Sequence, residues 1–180
     1  MTQSAPAILI TGKPGVGKTT IVRKVIEQTW NMGGFYTREV QENGKRMGFE
    51  IVSLEGEVAT LATKAVEIRF NNQVMLGNYK VNIDSIDLLA VPAIEKAIEN
   101  NQIVVIDEIG PMELFSENFR NIVMKALKND RITVFGTIVE RSNQIADTIK
   151  THPRVTLLHV EERNREEMYK LVISLLEAIL

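Results

Sequence analysis

The chain contains no cysteine. It can therefore form no disulfide framework and no thiolate metal site. Its two histidines, His152 and His159, are too few for a structural zinc finger. Excess charge is also missing. Twenty-one basic residues stand against 23 acidic ones, a net charge of −2. No global field draws such a chain to nucleic acid or to an anionic membrane. Long apolar runs are absent: Ile103–Ile106 is typical, far below the ~18 residues that span a bilayer. Met1–Thr11 lacks the basic start and the apolar length of a signal peptide. These absences predict a cytoplasmic protein with no membrane partner.

What is present is ordinary in amount and specific in order. The chain has 180 residues, 44 % hydrophobic and 24 % charged. That composition excludes disorder and predicts one domain over residues 1–180. Ala7–Thr11 reads as a buried strand ended by Gly12 and Pro14, and Thr19–Trp30 as a helix. Glycine-punctuated β-favouring runs follow: Phe35–Val40, Met47–Leu54 and Glu57–Leu61. Asn43-Gly44 and Glu55-Gly56 supply turn signals between them. This predicts an antiparallel β-meander inserted at about 33–62. Alternation then resumes. Helices are expected at Ser85–Glu99 (kinked or split by Pro92), Ser116–Leu127, Asn143–Lys150 and Asn164–Leu180. Strands are expected at Ile103–Ile106, Ile132–Val139 and Val155–Val160. Such alternation implies an α/β fold: a three-layer α/β/α domain on a mainly parallel sheet.

Gly12-Lys13-Pro14-Gly15-Val16-Gly17-Lys18-Thr19 fits the full phosphate-loop pattern between a strand and a helix. Glycines let the backbone wrap a phosphate, and the helix N-terminus adds partial positive charge. Lys18 is placed to reach the β- and γ-phosphates, and the Thr19 hydroxyl to ligate Mg²⁺. Pro14 shapes the loop but has no N–H to donate. Asp107 and Glu108 end the apolar run Ile103–Ile106, at the strand end where open α/β sheets bind ligands. Asp107 is read as the second Mg²⁺ partner and Glu108 as the group that orients water. Thr137 is either a γ-phosphate sensor or a plain strand residue. Arg38 and Arg141 could meet phosphate charge or be solvated. Asn164 and Arg165 could contact a base, or Asn164 could cap the last helix. Trp30 and the methionines read as packing residues.

At this point the chain resembles the THEP-type nucleoside-triphosphatase family, which includes the animal cancer-related nucleoside-triphosphatases. The resemblance rests on Gly12–Thr20, on Gly34–Val40 with Gly48-Phe49, on Val105–Ser116 (VIDEIGPMELFS), and on Gly136–Ile138 with Asn164-Arg165. Gly77–Val81 adds to it more weakly. It implies a RecA-like P-loop NTPase fold and slow Mg²⁺-dependent hydrolysis of several nucleoside triphosphates (ATP, GTP, CTP and UTP) by a monomer. It carries the nucleotide loop over Gly12–Thr19 with Thr20. A second nucleotide-binding segment falls on Val104, Val105, Ile106, Asp107, Glu108, Ile109, Gly110 and Pro111. Many members have Lys where this chain has Pro111, and Pro where it has Val139, so no cationic role falls on position 111. Two rival functions share the motif set: a nucleotide or small-metabolite kinase, and a nucleotide-dependent binding or regulatory module.

Overall fold

The computed structural model describes residues 4–100 and 102–179. Nine strands form one sheet, in the order β5-β6-β4-β3-β2-β7-β8-β1-β9. Its parallel half is β2 (Met32–Glu42), β7 (Ile103–Ile109), β8 (Val134–Ile138), β1 (Ala7–Thr11) and β9 (Val155–His159). Its antiparallel half runs outward from β2 through β3 (Lys45–Ser53), β4 (Val58–Thr63), β6 (Tyr79–Asn82) and β5 (Gln73–Leu76). The sheet is thus mixed rather than mainly parallel. The meander does not sit apart: β2 pairs β7 along one edge and β3 along the other.

The antiparallel run also continues past residue 62. β5 and β6 are four residues each, too short to announce themselves by alternation. Their turn does carry a signal in Gly77-Asn78, with Gly77 at φ 55°. The Asn43-Gly44 turn forms as expected, both residues having positive φ.

Period-two alternation sends neighbouring strand residues into different cores. Ile8 and Ile10 of β1 pack with Ile21, Val22 and Val25 of α1 (Lys18–Ile26) and with Val172 and Leu176 of α6 (Arg165–Glu177). Ala7 and Leu9 belong to a second cluster, with residues of α3 (Val91–Glu99), α4 (Glu117–Lys128) and α5 (Gln144–Lys150). Helix α1 stops before Trp30: the Glu27 amide still donates to the Arg23 carbonyl at 3.2 Å, but the Gln28 amide turns back to the Val25 carbonyl at 3.0 Å and tightens the last turn. The Ser85–Glu99 helix is split, as Pro92 required. A short α2 (Ile83–Ser85) leads into a π-helical segment, Ile86–Ala90, directly before α3 with Pro92 in its first turn. A widened turn avoids the clash between a proline ring and the carbonyl four residues back. Ser116 caps α4 by accepting from the Phe119 amide at 3.0 Å. No described helix is long and apolar enough to cross a membrane.

One arginine closes the base of this framework. Arg154, just before β9, donates to the carbonyls of Ala5 (2.7 Å), Leu127 (2.6 Å), Asn129 (2.6 Å), Ala126 (3.2 Å) and Ile132. It therefore ties the entry to β1, the last turn of α4 and the turn into β8 around one planar cation. Arg154→Ala leaves those carbonyls without their donor and should lower stability by about 2–4 kcal/mol. Arg154→Lys should recover only part, since an ammonium cannot reproduce the fork. Urea unfolding of both variants tests this; a lysine variant as stable as the native chain would contradict it.

Candidate active site

The loop after β1 and the acids near the C-terminal end of β7 meet because β8 alone separates their strands. Gly12 must be glycine: a Cβ there would lie 2.3 Å from the Val160 carbonyl. Gly17 starts α1 at φ 102°, in the left-handed region, with no side chain capping the helix. The first amides of α1 are therefore left for a ligand, and an uncapped helix N-terminus favours an anion. The Lys18 amine is buried and donates to the loop's own carbonyls, Gly12 at 2.7 Å and Lys13 at 3.1 Å. Lys13, Pro14, Gly15 and Thr20 are exposed, and Val16 and Gly17 half-buried.

Asp107 is fully buried. Alternation along β7 puts it on the side of Ile103 and Val105, which pack in the α1 cluster. There Thr137 Oγ1 donates to its Oδ1 at 2.6 Å, and Thr19 Oγ1 donates to the same oxygen at 3.4 Å. Its other oxygen, Oδ2, has no partner; nor has Thr11 Oγ1 at the end of β1. Buried acceptors are ordinarily satisfied, so a carboxylate oxygen left free beside a phosphate loop suits a cation. Among the described residues no group of three or more His, Cys, Asp or Glu could hold a metal by itself. The donor set instead fits Mg²⁺, which binds through one or two protein oxygens and completes its shell with phosphate and water. Thr19 and Asp107 are the residues placed to hold it.

Burial raises the Asp107 carboxyl above its ordinary range, with the Thr137 and Thr19 hydroxyls opposing it. Glu108 is half-buried, and burial, then the neighbouring Asp107 charge, raise it too. One acid went unassigned in the sequence. Glu113, in a 3₁₀ turn over Glu113–Phe115, is 4 % exposed. A Cβ on Gly110 would meet a carboxylate oxygen of Glu113 and one of Glu108, each at 2.8 Å. Gly110 thus leaves the gap that lets the two acids approach. The Ser116 cap five residues after Pro111 signalled a helix start, but nothing in the pattern signalled a buried acid in the turn before it.

The other named residues sort out by contact. Thr137 faces Asp107, and its hydroxyl donates to the carboxylate. Val104, Val105, Ile106 and Ile109 are fully buried in the two cores, and Val16 of the loop packs against the cluster that holds Val105. Pro111 is exposed at the start of the turn. Arg38 is committed to Glu50, its cross-strand partner, at 2.6 Å. Arg141 is exposed before α5. His159 lies 3.5 Å from Glu140, and the His152 ring accepts from the Arg154 amide at 3.3 Å. Asn164 does not cap α6 with its side chain. A separate cleft of about 330 Å³ lies at the other end of β2, by Met32, Leu54 and Leu88. Of its charges, Lys96 and Glu55 pair at 2.6 Å, and Glu57 also lines it.

Glu113 gives the site a measurable pH signature. Burial first, then the charges of Glu108 and Asp107, push its carboxyl well above the usual 4.5. The folded chain holds this proton more tightly than the unfolded chain does. Its contribution to stability is complete below the unfolded value and lost as pH rises through the raised folded one. Glu113→Gln should therefore raise the melting temperature at pH 8 and change it little at pH 4. Melting curves across that range, without nucleotide or divalent cation, check this; parallel pH profiles would contradict it.

Comparison with known proteins agrees with the geometry. The profile of the NTPase family matches residues 7–173. The nucleoside-triphosphatase THEP1 of Thermotoga sp. (strain RQ2) is 38 % identical over 170 residues, covering 94 % of this chain and 95 % of the relative. The cancer-related nucleoside-triphosphatase homolog of Mus musculus is 34 % identical over 183 residues, covering 95 % and 96 %. The crystal structure of THEP1 from the hyperthermophile Aquifex aeolicus superposes with a TM-score of 0.84 at 34 % identity, covering 95 % of this chain and 99 % of that one. Loop, acids and fold converge with these matches, and the chain belongs to the NTPase family of THEP1-type nucleoside-triphosphatases.

Proposed function

We propose that the protein hydrolyses nucleoside 5′-triphosphates (ATP, GTP, CTP and UTP) to the diphosphate and phosphate, with Mg²⁺, on a three-layer RecA-like core. The observation that carries this reading is the buried Asp107 carboxylate, with one oxygen fixed by Thr137 and Thr19 and the other unpartnered, beside the open N-terminus of α1. Thr19 and Asp107 would hold the metal, which would supply positive charge against the phosphate chain. Loop amides from Gly12 to Lys18 cradle the phosphate chain. The Lys18 amine exchanges the Gly12 and Lys13 carbonyls for phosphate oxygens as the substrate enters. Glu108 orients water for in-line attack on the γ-phosphorus. A new P–O bond forms to water, and the bond to the β–γ bridging oxygen breaks. The relatives' names support hydrolysis over transfer to a second acceptor.

The roles of Lys18 and Glu108 separate experimentally. Lys18→Ala removes charge that strengthens as the transition state forms and should lower kcat/KM by about 10²–10³-fold. Glu108→Gln keeps the shape but weakens control of the water; kcat should fall about as far while triphosphate affinity stays near native. Phosphate release with equilibrium binding on both variants tests the assignment. Undiminished turnover by either would remove that residue from its role.

A further inference from the structure

Arg165, the first residue of α6, lies directly against the phosphate loop. A Cβ on Gly17 would sit 2.6 Å from its Cδ and 2.9 Å from its Nη1. Its only hydrogen bond among the described residues is a long one, from Nη1 to the Val16 carbonyl at 3.4 Å. Among the described residues no carboxylate pairs with it: Glu161 pairs with Arg163 at 2.6 Å, and Glu166 with Lys24 at 3.5 Å. Arg165 is thus an exposed guanidinium with no carboxylate partner, held over the site.

Its mounting is rigid. The Val160 amide donates to the Thr11 carbonyl at 2.8 Å, fastening the segment after β9 to the end of β1. Asn164 closes that segment on itself. Its Nδ2 donates to the His159 carbonyl at 3.0 Å, and its Oδ1 accepts from the Glu161 amide at 2.8 Å. The side chain that would otherwise cap α6 instead locks the loop that carries Arg165.

Position then decides what Arg165 meets. In the sheet order β7-β8-β1-β9, the acids lie on one side of β1 and the start of α6 on the other. A triphosphate whose γ end faces Glu108 must extend its nucleoside end toward β9 and α6. Arg165 meets the loop at its α1 end, on the Val16 carbonyl and beside Gly17, whereas the Lys18 amine lies at the β1 end, on the Gly12 and Lys13 carbonyls. From this geometry we infer that Arg165 is the floor of the nucleoside subsite, its guanidinium plane stacking on the face of the base. Every nucleobase has such a face, so the contact favours a nucleoside over bare phosphate and does not discriminate among bases. The inference rests on the nucleotide site proposed above and extends it to the half of the substrate that does not react.

Calorimetric binding of ADP, GDP, CDP and UDP, with Mg-pyrophosphate as the probe lacking a nucleoside, tests it on the full chain. Arg165→Ala should weaken all four diphosphates by roughly tenfold and leave pyrophosphate unchanged. That second result also verifies an intact phosphate loop. Arg165→Lys keeps the charge and loses the plane, and should behave like the alanine variant. Equal weakening of pyrophosphate would make Arg165 a phosphate ligand and overturn the inference. So would unchanged diphosphate binding, rescue by lysine, or a loss confined to one base. Failure of the hydrolase reading looks different: native chain that binds the diphosphates, with the Arg165 dependence expected here, yet releases no phosphate from triphosphates.

Discussion

Asp107 is a carboxylate with no exposure at all, and transferring such a group out of water costs several kcal/mol unless hydrogen bonds or opposite charge offset it. Thr137 from β8 and Thr19 from α1 donate to one oxygen, and the Thr37 amide and the Lys18 charge add to the compensation. The order of the strands makes this possible. β8 lies between β1 and β7, so a hydroxyl on β8 reaches the acid on β7, and the helix that follows β1 brings Thr19. The remaining oxygen is left with a deficit that a cation would fill. A structural requirement, satisfying a buried acid, and a functional one, holding a metal at phosphate, thus fall on the same atom.

Much of this was legible in the residues. The loop Gly12–Thr19 is visible because its glycines, lysine and threonine have fixed spacing set by the size of a phosphate. Asp107 and Glu108 are visible because two acids ending a four-residue apolar run stand out. Glu113 was not, because its burial depends on a turn packing against Glu108 across Gly110, which no periodicity encodes. Thr137 reads alike as a strand former or a ligand until the register places it beside Asp107. The mixed character of the sheet was likewise hidden. Turn residues announce a meander, but they do not say that its first strand also pairs in parallel with β7. The short β5 and β6 carry too few side chains to show a face.

The two sides of β1 divide the work. Toward β7 the site gathers acids whose charges burial disfavours: Asp107, Glu108 and Glu113. Toward β9 it presents one exposed cation on a hydrogen-bonded mount, Arg165. Between them run the loop amides and the Lys18 amine, which is held by loop carbonyls rather than by a carboxylate. A substrate with a polyanionic end and a flat, uncharged ring fits that polarity. Recognition of a ring face rather than of its hydrogen-bonding edge would leave the choice of base open.

The account stands most directly on the cation that Asp107 and Thr19 are arranged to hold. Phosphate release from ATP, GTP, CTP and UTP, measured on the purified chain with Mg²⁺ and with the cation chelated, tests this in one panel. The account predicts turnover of all four triphosphates with Mg²⁺ and its loss on chelation. Full turnover in chelator, or no phosphate release from any triphosphate with Mg²⁺ present, would contradict it.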